Sequence, residues 1–192
     1  MNFPLLNELN APQASLKWLA QAKENFGMLP NVEKVMALSP QLIASYTFMW
    51  DQFETISLTP IERQVVYLTA NYENECSYCV PWHSILAKQS GMSNDDLLAL
   101  RSGGKIANAK LNELSNFARG LLANRGKVSD TQLQIFLDAG YTDKHVLEVI
   151  LGLAIKLISN YTNSVAGTPL DSEAESERWH KPLIKERQII TE

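Results

Sequence analysis

Helix-start signals recur along the whole chain, and they restrict its fold more than any other feature of the sequence. Thr59-Pro60-Ile61-Glu62 is a capping box with proline at the first helical position, and Ser39-Pro40 is a capping serine followed by proline. No stretch combines polar–apolar alternation with the hairpin turns that indicate strands. The sequence therefore predicts an all-α protein whose helices begin at or near Asn10, Asn31, Ser39, Thr59, Cys76, Ser93, Leu111, Ser129 and Thr142.

The last of these predicted helices is the most apolar part of the chain. From Val146 to Val165 it is apolar on nearly every side, which indicates burial between neighbouring helices or between subunits. Glu148, Gly152 and Lys156 interrupt its most apolar stretch, which is also too short to span a bilayer. We therefore expect a buried helix rather than a membrane span.

The length of 192 residues suits one domain with a sizeable core. We expect a single domain over residues 1–192, with its core at about 25–171 and a polar tail at 172–192. Trp179 and Ile184 are the candidate anchors of that tail, on the protein body or on a partner subunit.

The net charge and the N-terminal residues bear on nucleic-acid binding and on the cellular compartment. The formal net charge is −4 and no basic stripe is present, so the sequence argues against nucleic-acid binding. Residues 1–10 lack the charged and apolar regions of a secretory signal. We expect a cytoplasmic protein, and in that compartment a paired-cysteine motif is more often catalytic or metal-binding than a structural disulfide.

Both cysteines and one of the three histidines lie in one short segment. On a helix, Cys76, Cys79 and His83 fall at i, i+3 and i+7, which is one face. Cysteines three residues apart can approach within disulfide distance, so this pair can cycle between dithiol and disulfide. A start of the helix at Cys76 would make that thiol the more acidic one, whereas His83 is one turn beyond Cys79 and can accept its proton.

Two other interpretations of these residues remain open. The cysteines can be small buried hydrophobic residues, or C-x2-C-x3-H can supply three zinc ligands. A structural zinc site needs a fourth ligand, for which the sequence offers only the distant His145 and His180 or nearby carboxylates. A thioredoxin fold is excluded because a helix, not a strand, precedes the motif.

The same segment resembles the core of the alkylhydroperoxidase D and carboxymuconolactone decarboxylase superfamily. The resemblance covers roughly residues 25–171, and the flanking segments are similar to its peroxidase-related branch. The matching pieces are Met28-Leu29-Pro30-Asn31, Ser39-Pro40, Thr59-Pro60-Ile61-Glu62-Arg63-Gln64, Cys76-Ser77-Tyr78-Cys79 with His83, Asn160-Tyr161-Thr162-Asn163 and Pro169-Leu170-Asp171. The resemblance implies a compact multi-helix bundle, assembly into homo-oligomers (trimers or hexamers) and thiol-dependent reduction of hydroperoxides in antioxidant defence.

The resemblance also implies roles for the individual thiols. Cys79, beside His83, matches the thiol that attacks peroxide and becomes a sulfenic acid. Cys76 matches the resolving thiol, which closes a Cys76–Cys79 disulfide and then meets an external dithiol reductant. This cycle requires no organic cofactor and no metal.

Two positions depart from the alkylhydroperoxidase D pattern and put its proton relay in question. The relay glutamate usually lies twelve residues before the first cysteine, where this chain has Gln64, which cannot titrate. Between the cysteines, Tyr78 replaces a histidine and is a poor base at neutral pH. We predict slower turnover than in a relative with the full relay, with Glu62, Glu73 or Glu75 as candidate replacements. Glu62 has an alternative role as the capping-box residue.

Aromatic side chains around the motif are the candidate substrate pocket. Tyr72, Tyr78 and Trp82 can line a cavity beside the sulfur atoms, or they can be ordinary core or interface residues.

Two further functions remain open. A decarboxylase of the carboxymuconolactone type would work by acid–base chemistry and leave both cysteines idle. A non-enzymatic redox sensor or disulfide-exchange protein would oxidise reversibly without peroxide turnover.

Overall fold

Residues 2–182 are described by a computed structural model, and within that range the chain is helical and has no β-strand. The all-α prediction is therefore confirmed. In chain order the α-helices are α1 Leu16–Phe26, α2 Asn31–Met36, α3 Pro40–Glu54, α4 Pro60–Glu73, α5 Cys79–Gln89, α6 Asn94–Ser102, α7 Ala109–Ala123, α8 Asp130–Asp138 and α9 Asp143–Ala166, with short 3-10 helices at Gln13–Ser15 and Ser172–Glu177.

The helix starts follow the capping residues that the sequence offers. The side chains of Ser39, Thr59, Ser93 and Ser129 each accept a backbone N–H of the first turn that follows. Such a cap stabilises a helix by about 1 kcal/mol. The first helix is the exception, because α1 begins at Leu16 rather than after Asn10.

The start of α5 corrects a prediction that bears on the thiol chemistry. The helix begins at Cys79, so Cys76 lies in the turn before it. The physical reason is Pro81, which has no N–H to donate to the carbonyl four residues earlier, so continuous helical hydrogen bonding starts late. The peptide N–H of Cys79 donates to the sulfur of Cys76 at 3.2 Å, which places Cys76 as a cap of the helix that carries Cys79.

Helix α4 lies at the centre of the bundle, against α5, α7 and α9. Its side chains from Gln64 to Tyr72 are all buried. Helix α9 packs closely on this centre at Gly152, where a Cβ atom would lie 2.7 Å from a ring carbon of Phe53 and 2.9 Å from a methyl carbon of Val66. Glycine at this position therefore sets the spacing between α9 and the two helices that it covers.

Helix α9 is long and apolar enough to cross a membrane by length and composition alone. Half of its most apolar window is buried against other helices, as is common for the core helix of a soluble protein. Its outer face exposes an apolar stripe at helical spacing, formed by Leu147, Ile150, Leu157, Tyr161 and Val165. We call this set the α9 face.

The described part of the tail packs on the protein body. The indole N–H of Trp179 donates to the carbonyl of Arg101 at 2.8 Å, and the Arg101 guanidinium donates to the carbonyl of Glu177 at 3.2 Å. The other candidate anchor, Ile184, lies outside the described residues.

Candidate active site

The two cysteines are buried free thiols at the start of α5. The side-chain amide of Asn163, on α9, donates to the sulfur of Cys79 at 3.2 Å and lies 4.0 Å from the sulfur of Cys76. Helix α9 therefore contacts both thiols through this side chain. The amide of Asn163 is aimed at the sulfur atom that most needs a donor if it carries negative charge.

The surroundings give the two thiols different acidities. Burial by itself raises the pKa of Cys79, but the Cys76 thiol, the charge of Lys156 and the amide of Asn163 outweigh it and lower that pKa to about 6. Burial raises the pKa of Cys76, and the neighbouring charge on Cys79 raises it further. At neutral pH Cys79 is therefore the thiolate and Cys76 the thiol. The expectation that the helix start would make Cys76 the more acidic thiol is wrong: α5 begins at Cys79, and the side chains of Cys76, Lys156 and Asn163 lower the pKa of Cys79.

His83 is fully enclosed, and both of its ring nitrogen atoms have partners. Nδ1 lies 2.9 Å from the Gln64 side-chain oxygen, and Nε2 lies 2.9 Å from the Nζ of Lys156. Burial and the charge of Lys156 hold the pKa of His83 well below its usual range, so the ring is neutral. Since Lys156 donates to Nε2, the ring proton is on Nδ1 and is donated to Gln64.

The arrangement of His83 differs from the direct approach to Cys79 that the i, i+4 spacing suggested. Its two nitrogen atoms are bonded to Gln64 and Lys156. The group whose charge acts on Cys79 is Lys156, and His83 orients the Lys156 ammonium by accepting a hydrogen bond from it. The histidine thus influences the thiol through the lysine.

Lys156 is a candidate functional residue that the sequence analysis did not identify. Only 1% of its surface is exposed, and its Nζ lies 5.3 Å from the centre of the Tyr67 ring. A lysine is almost never so deeply buried without a specific partner. The one signal available in the sequence was its position in the most apolar stretch of the chain, where a charge is unexpected.

A small pocket opens onto Cys79 between α2, α3, α5 and α9. Its cavity volume, counted as the space that the centre of a water molecule can occupy, is about 40 Å³, which is room for only a few water molecules. Aromatic and aliphatic groups line much of the wall, and Lys156, His83, Asn163 and Glu33 are polar groups of the lining. The pocket therefore suits a small, largely uncharged substrate whose reacting atom is placed against the sulfur.

Tyr78 and Trp82 both contact Asp171, which follows α9. The Tyr78 hydroxyl donates to Oδ2 of Asp171 at 2.5 Å, and the Trp82 indole donates to the same oxygen at 2.9 Å. Oδ1 of Asp171 accepts the N–H of Asn31 at 3.0 Å, at the start of α2. Asp171 thereby links the start of α2 to the start of α5, two parts of the pocket wall. The Tyr78 hydroxyl bonds to Asp171 rather than to His83.

The other predicted site residues lie away from the thiols. Glu62 closes the capping box of Thr59, whose N–H and hydroxyl both lie 2.8 Å from Oε2. Glu73 pairs with Arg119 at 2.6 Å, and Glu75 pairs with Lys181 at 3.1 Å. None of these carboxylates lines the pocket at Cys79, within the part of the chain that the structure describes.

Tyr72 is likewise outside that pocket. Its ring packs edge-on against Trp179 with a centre-to-centre distance of 6.0 Å, and it contacts Gly103. Of the candidate aromatic residues, Tyr78 and Trp82 line the pocket.

The histidines considered as further zinc ligands have other surroundings. Nδ1 of His145 accepts the N–H of Thr142 at 3.0 Å, in the capping box of α9, and His180 is exposed in the tail. Across residues 2–182, no three side chains of the histidine, cysteine, aspartate and glutamate types come together as a metal site.

Comparison with known proteins gives a family match and a set of similar folds. The model of the carboxymuconolactone decarboxylase family matches residues 44–109, which include α4 and α5. No curated protein matches the chain.

The solved structures that resemble the chain are distant in sequence and close in fold. An uncharacterized peroxidase-related protein from Ralstonia eutropha JMP134, described as an alkylhydroperoxidase AhpD core, superposes with a TM-score of 0.79 at 17% identity over 90% of this chain and 93% of that one. A peroxidase-related protein from Silicibacter sp. TM1040 gives 0.73 at 17% identity over 91% and 92%. The debrominase Bmp8, in complex with 2,3,4-tribromopyrrole, gives 0.73 at 15% identity over 92% and 96%. At these identities the likeness concerns the fold.

Proposed function

We propose that this chain is a member of the alkylhydroperoxidase D and carboxymuconolactone decarboxylase superfamily and a thiol-dependent hydroperoxide reductase of its peroxidase-related branch. One observation carries the proposal: Cys79, whose pKa is lowered, lines a small pocket, and the Cys76 thiol lies directly beside it, accepting the Cys79 peptide N–H at 3.2 Å. An attacking sulfur and a resolving sulfur are the two groups that reduction of a peroxide by a thiol pair requires.

The first step is attack of the Cys79 thiolate on the terminal oxygen of a hydroperoxide ROOH. An S–O bond forms, the O–O bond breaks, and the RO⁻ that leaves takes up a proton to become an alcohol, or water when the substrate is hydrogen peroxide. Cys79 is then a sulfenic acid. Lys156 and Asn163 hold the thiolate in the ionised form that this attack needs.

The second step closes the disulfide. The sulfur of Cys76 attacks the sulfenic sulfur of Cys79, an S–S bond forms, and the hydroxide that leaves takes the Cys76 proton and departs as water. An external dithiol then reduces the Cys76–Cys79 disulfide and is itself oxidised. In one cycle, one hydroperoxide and one external dithiol are consumed, and one alcohol, one water and the disulfide form of that reductant are produced.

Gln64 and His83 act in this cycle by orienting Lys156. The Gln64 oxygen holds the Nδ1 proton of His83, which leaves Nε2 free to accept from the lysine. A glutamate at the Gln64 position is therefore not needed to provide a positive charge near Cys79 through a protonated His83, because Lys156 supplies that charge. Gln64 and His83 thus position Lys156 and do not contact the substrate or the thiols themselves, since both hydrogen bonds of His83 go to Gln64 and Lys156.

The setting of the proposed enzyme follows from the same premise. We infer a cytoplasmic homo-oligomer, a trimer or hexamer, in which the α9 face is covered by another copy. Its exposed leucine, isoleucine, tyrosine and valine side chains form the kind of apolar patch that marks an interface. A cytoplasmic location also supplies the dithiol donors that the cycle uses.

The experiment that tests the function is peroxide consumption with a dithiol reductant. We expect turnover by the wild type, none by Cys79→Ser, and about one equivalent by Cys76→Ser, which forms a sulfenic acid but cannot resolve it. Ser172→Ala, in the exposed segment after α9, is the control for a small side-chain change away from the site.

The outcome also separates the proposed function from its alternatives. Peroxide consumption that is equal in all variants, or absent from all, would refute the reductase. Decarboxylation of a lactone by a protein with both cysteines changed to serine would identify acid–base chemistry instead.

A further inference from the structure

We propose that Glu33 is the general acid of this site, donating the proton that the leaving oxygen needs when Cys79 attacks a hydroperoxide. The inference rests on the proposed function and deepens it. Sequence patterns gave no indication of it, because Glu33 is far from the cysteines along the chain, in the short helix α2.

Glu33 has the placement of a proton donor. It lines the same pocket as Cys79 and Lys156, and only 5% of its surface is exposed. Its Oε2 is buried and has no hydrogen-bond partner among the described residues. A buried polar atom without a partner, beside a pocket, marks a place where a substrate oxygen can bind. It is also the only carboxyl group in the described lining of that pocket.

The charged and titratable groups around Glu33 favour its neutral form. Burial is the main cause, and the charges of Asp171 and Cys79 add to it. A hydrogen bond to the backbone of Glu33 itself and the charge of Lys156 oppose it, and the net result raises the pKa of Glu33 to about 8. Tyr46 on α3 and Tyr78 before α5 also face it, and burial raises the pKa of each phenol well above its usual value. At neutral pH Glu33 is therefore a carboxylic acid, and the phenols are much weaker donors.

The competing donors in the wall are already in use. The Tyr78 hydroxyl and the Trp82 indole both donate to the carboxylate of Asp171, which lies outside the lining. Lys156 donates to His83 and holds the charge of the thiolate, and the Nδ1 proton of His83 is directed to Gln64. Glu33 is the acid that remains available.

The proton and the charges balance in this step. Before it, the pocket holds a Cys79 thiolate, a neutral Glu33 and the Lys156 ammonium. The S–O bond forms, the O–O bond breaks, and the Glu33 proton passes to the leaving oxygen, which departs as a neutral alcohol or water. Afterwards the negative charge is on Glu33 and Cys79 is a neutral sulfenic acid. One negative charge thus faces Lys156 throughout, and Glu33 takes a proton back from solvent before the next turnover.

The test compares two oxidants whose leaving groups differ in their need for a proton. Hydrogen peroxide releases hydroxide, which requires an acid, whereas peracetic acid releases acetate, which leaves unprotonated at neutral pH. Oxidation of the reduced protein is followed in a single turnover by the fluorescence of the pocket residues Trp50 and Trp82. The variants are Glu33→Gln, which keeps the shape but has no acidic proton, and the control Glu24→Gln, at an exposed position of α1.

We expect Glu33→Gln to lose about 100-fold or more in rate with hydrogen peroxide and to stay within a few-fold of wild type with peracetic acid. Equal losses with both oxidants would show a structural role and overturn the assignment, as would unchanged rates with both. If the wild type reacts with neither oxidant, the reductase function itself fails, which is a distinguishable result. Infrared spectra of the reduced wild type provide a second test: at pH 7 the C=O stretch of a protonated carboxyl is expected, and its absence would refute the proposal even if Glu33→Gln did not fold.

Discussion

Replacing Lys156 with methionine is the sharpest test of how this site makes a thiolate. The change keeps an unbranched side chain of similar length and removes the charge that acts on Cys79. With a pKa of about 6, the ratio of thiolate to thiol at Cys79 is about ten at pH 7. A nearby opposite charge typically accounts for about one to three pKa units, so the variant should have a Cys79 pKa of about 7 to 9. The thiolate fraction at pH 7 then falls from about nine tenths to between about one half and one hundredth.

The assay is the rate of alkylation of Cys79 as a function of pH, read by mass spectrometry of the peptide that contains it. Lys144→Met is the matched control, because Lys144 is on the same helix but is exposed and pairs with Glu148 at 3.4 Å. Oxidation by peroxide at pH 7 should slow in proportion to the thiolate lost in Lys156→Met and not change in Lys144→Met. An unchanged pH midpoint for Cys79 in Lys156→Met would refute the argument that the lysine stabilises the thiolate.

Three further predictions concern stability and assembly. Because burial raises the pKa of Glu33 from 4.5 to about 8, its stabilising contribution is present below pH 4.5 and is lost as the pH rises to about 8. The free energy of unfolding of Glu33→Gln should therefore rise relative to wild type across that window by at most about 1.4 kcal/mol per pH unit, which is seen as a growing difference in melting temperature. Leu157→Asp, on the α9 face, should reduce the mass of the assembly in light scattering, whereas Leu98→Asp, an exposed leucine on α6, should not. Gly152→Ala should destabilise the protein by about 1–3 kcal/mol in denaturant unfolding, because the new methyl group would overlap the ring of Phe53.

Each of these has an outcome that would contradict it. A melting-temperature difference that is the same at pH 5 and pH 8 would show that Glu33 does not carry the raised pKa. A monomeric wild type, or an assembly that tolerates aspartate at Leu157, would remove the interface from the α9 face, and a dimer would contradict the trimer or hexamer. Gly152→Ala with wild-type stability would mean that α9 can move away from Phe53 without loss.

Local signals explain why the helices could be predicted so fully. A cap such as Ser39 or Thr59 acts on N–H groups within three residues, so the sequence contains both partners of the interaction. The misplaced starts have equally local causes. Pro81 delays α5, and a 3-10 turn at Gln13–Ser15 precedes α1. Such boundary shifts are small in residue count, but at α5 the shift decided which cysteine holds the helix start.

The site was predictable only as far as its residues are close in sequence. Cys76, Cys79 and His83 form a recognisable pattern within one turn and one helix. Lys156 is 73 residues beyond His83, and no periodicity reports that its ammonium meets the imidazole. Glu33 is similarly remote, and as one acidic residue in a short helix it has no distinguishing pattern.

Gln64 shows how a departure from the family pattern can be compensated elsewhere in the fold. A glutamate at that position would place a negative charge against His83 and favour a protonated ring. Here glutamine accepts the Nδ1 proton without charge, and the positive charge beside the thiol belongs to Lys156. Cation and acid are then different side chains, because Lys156 stabilises the thiolate and Glu33 holds a transferable proton. Gln64→Glu should therefore raise the pKa of His83, measured by NMR titration of its ring, and leave the alkylation rate of Cys79 within a few-fold of wild type; a much slower rate would refute this division of roles.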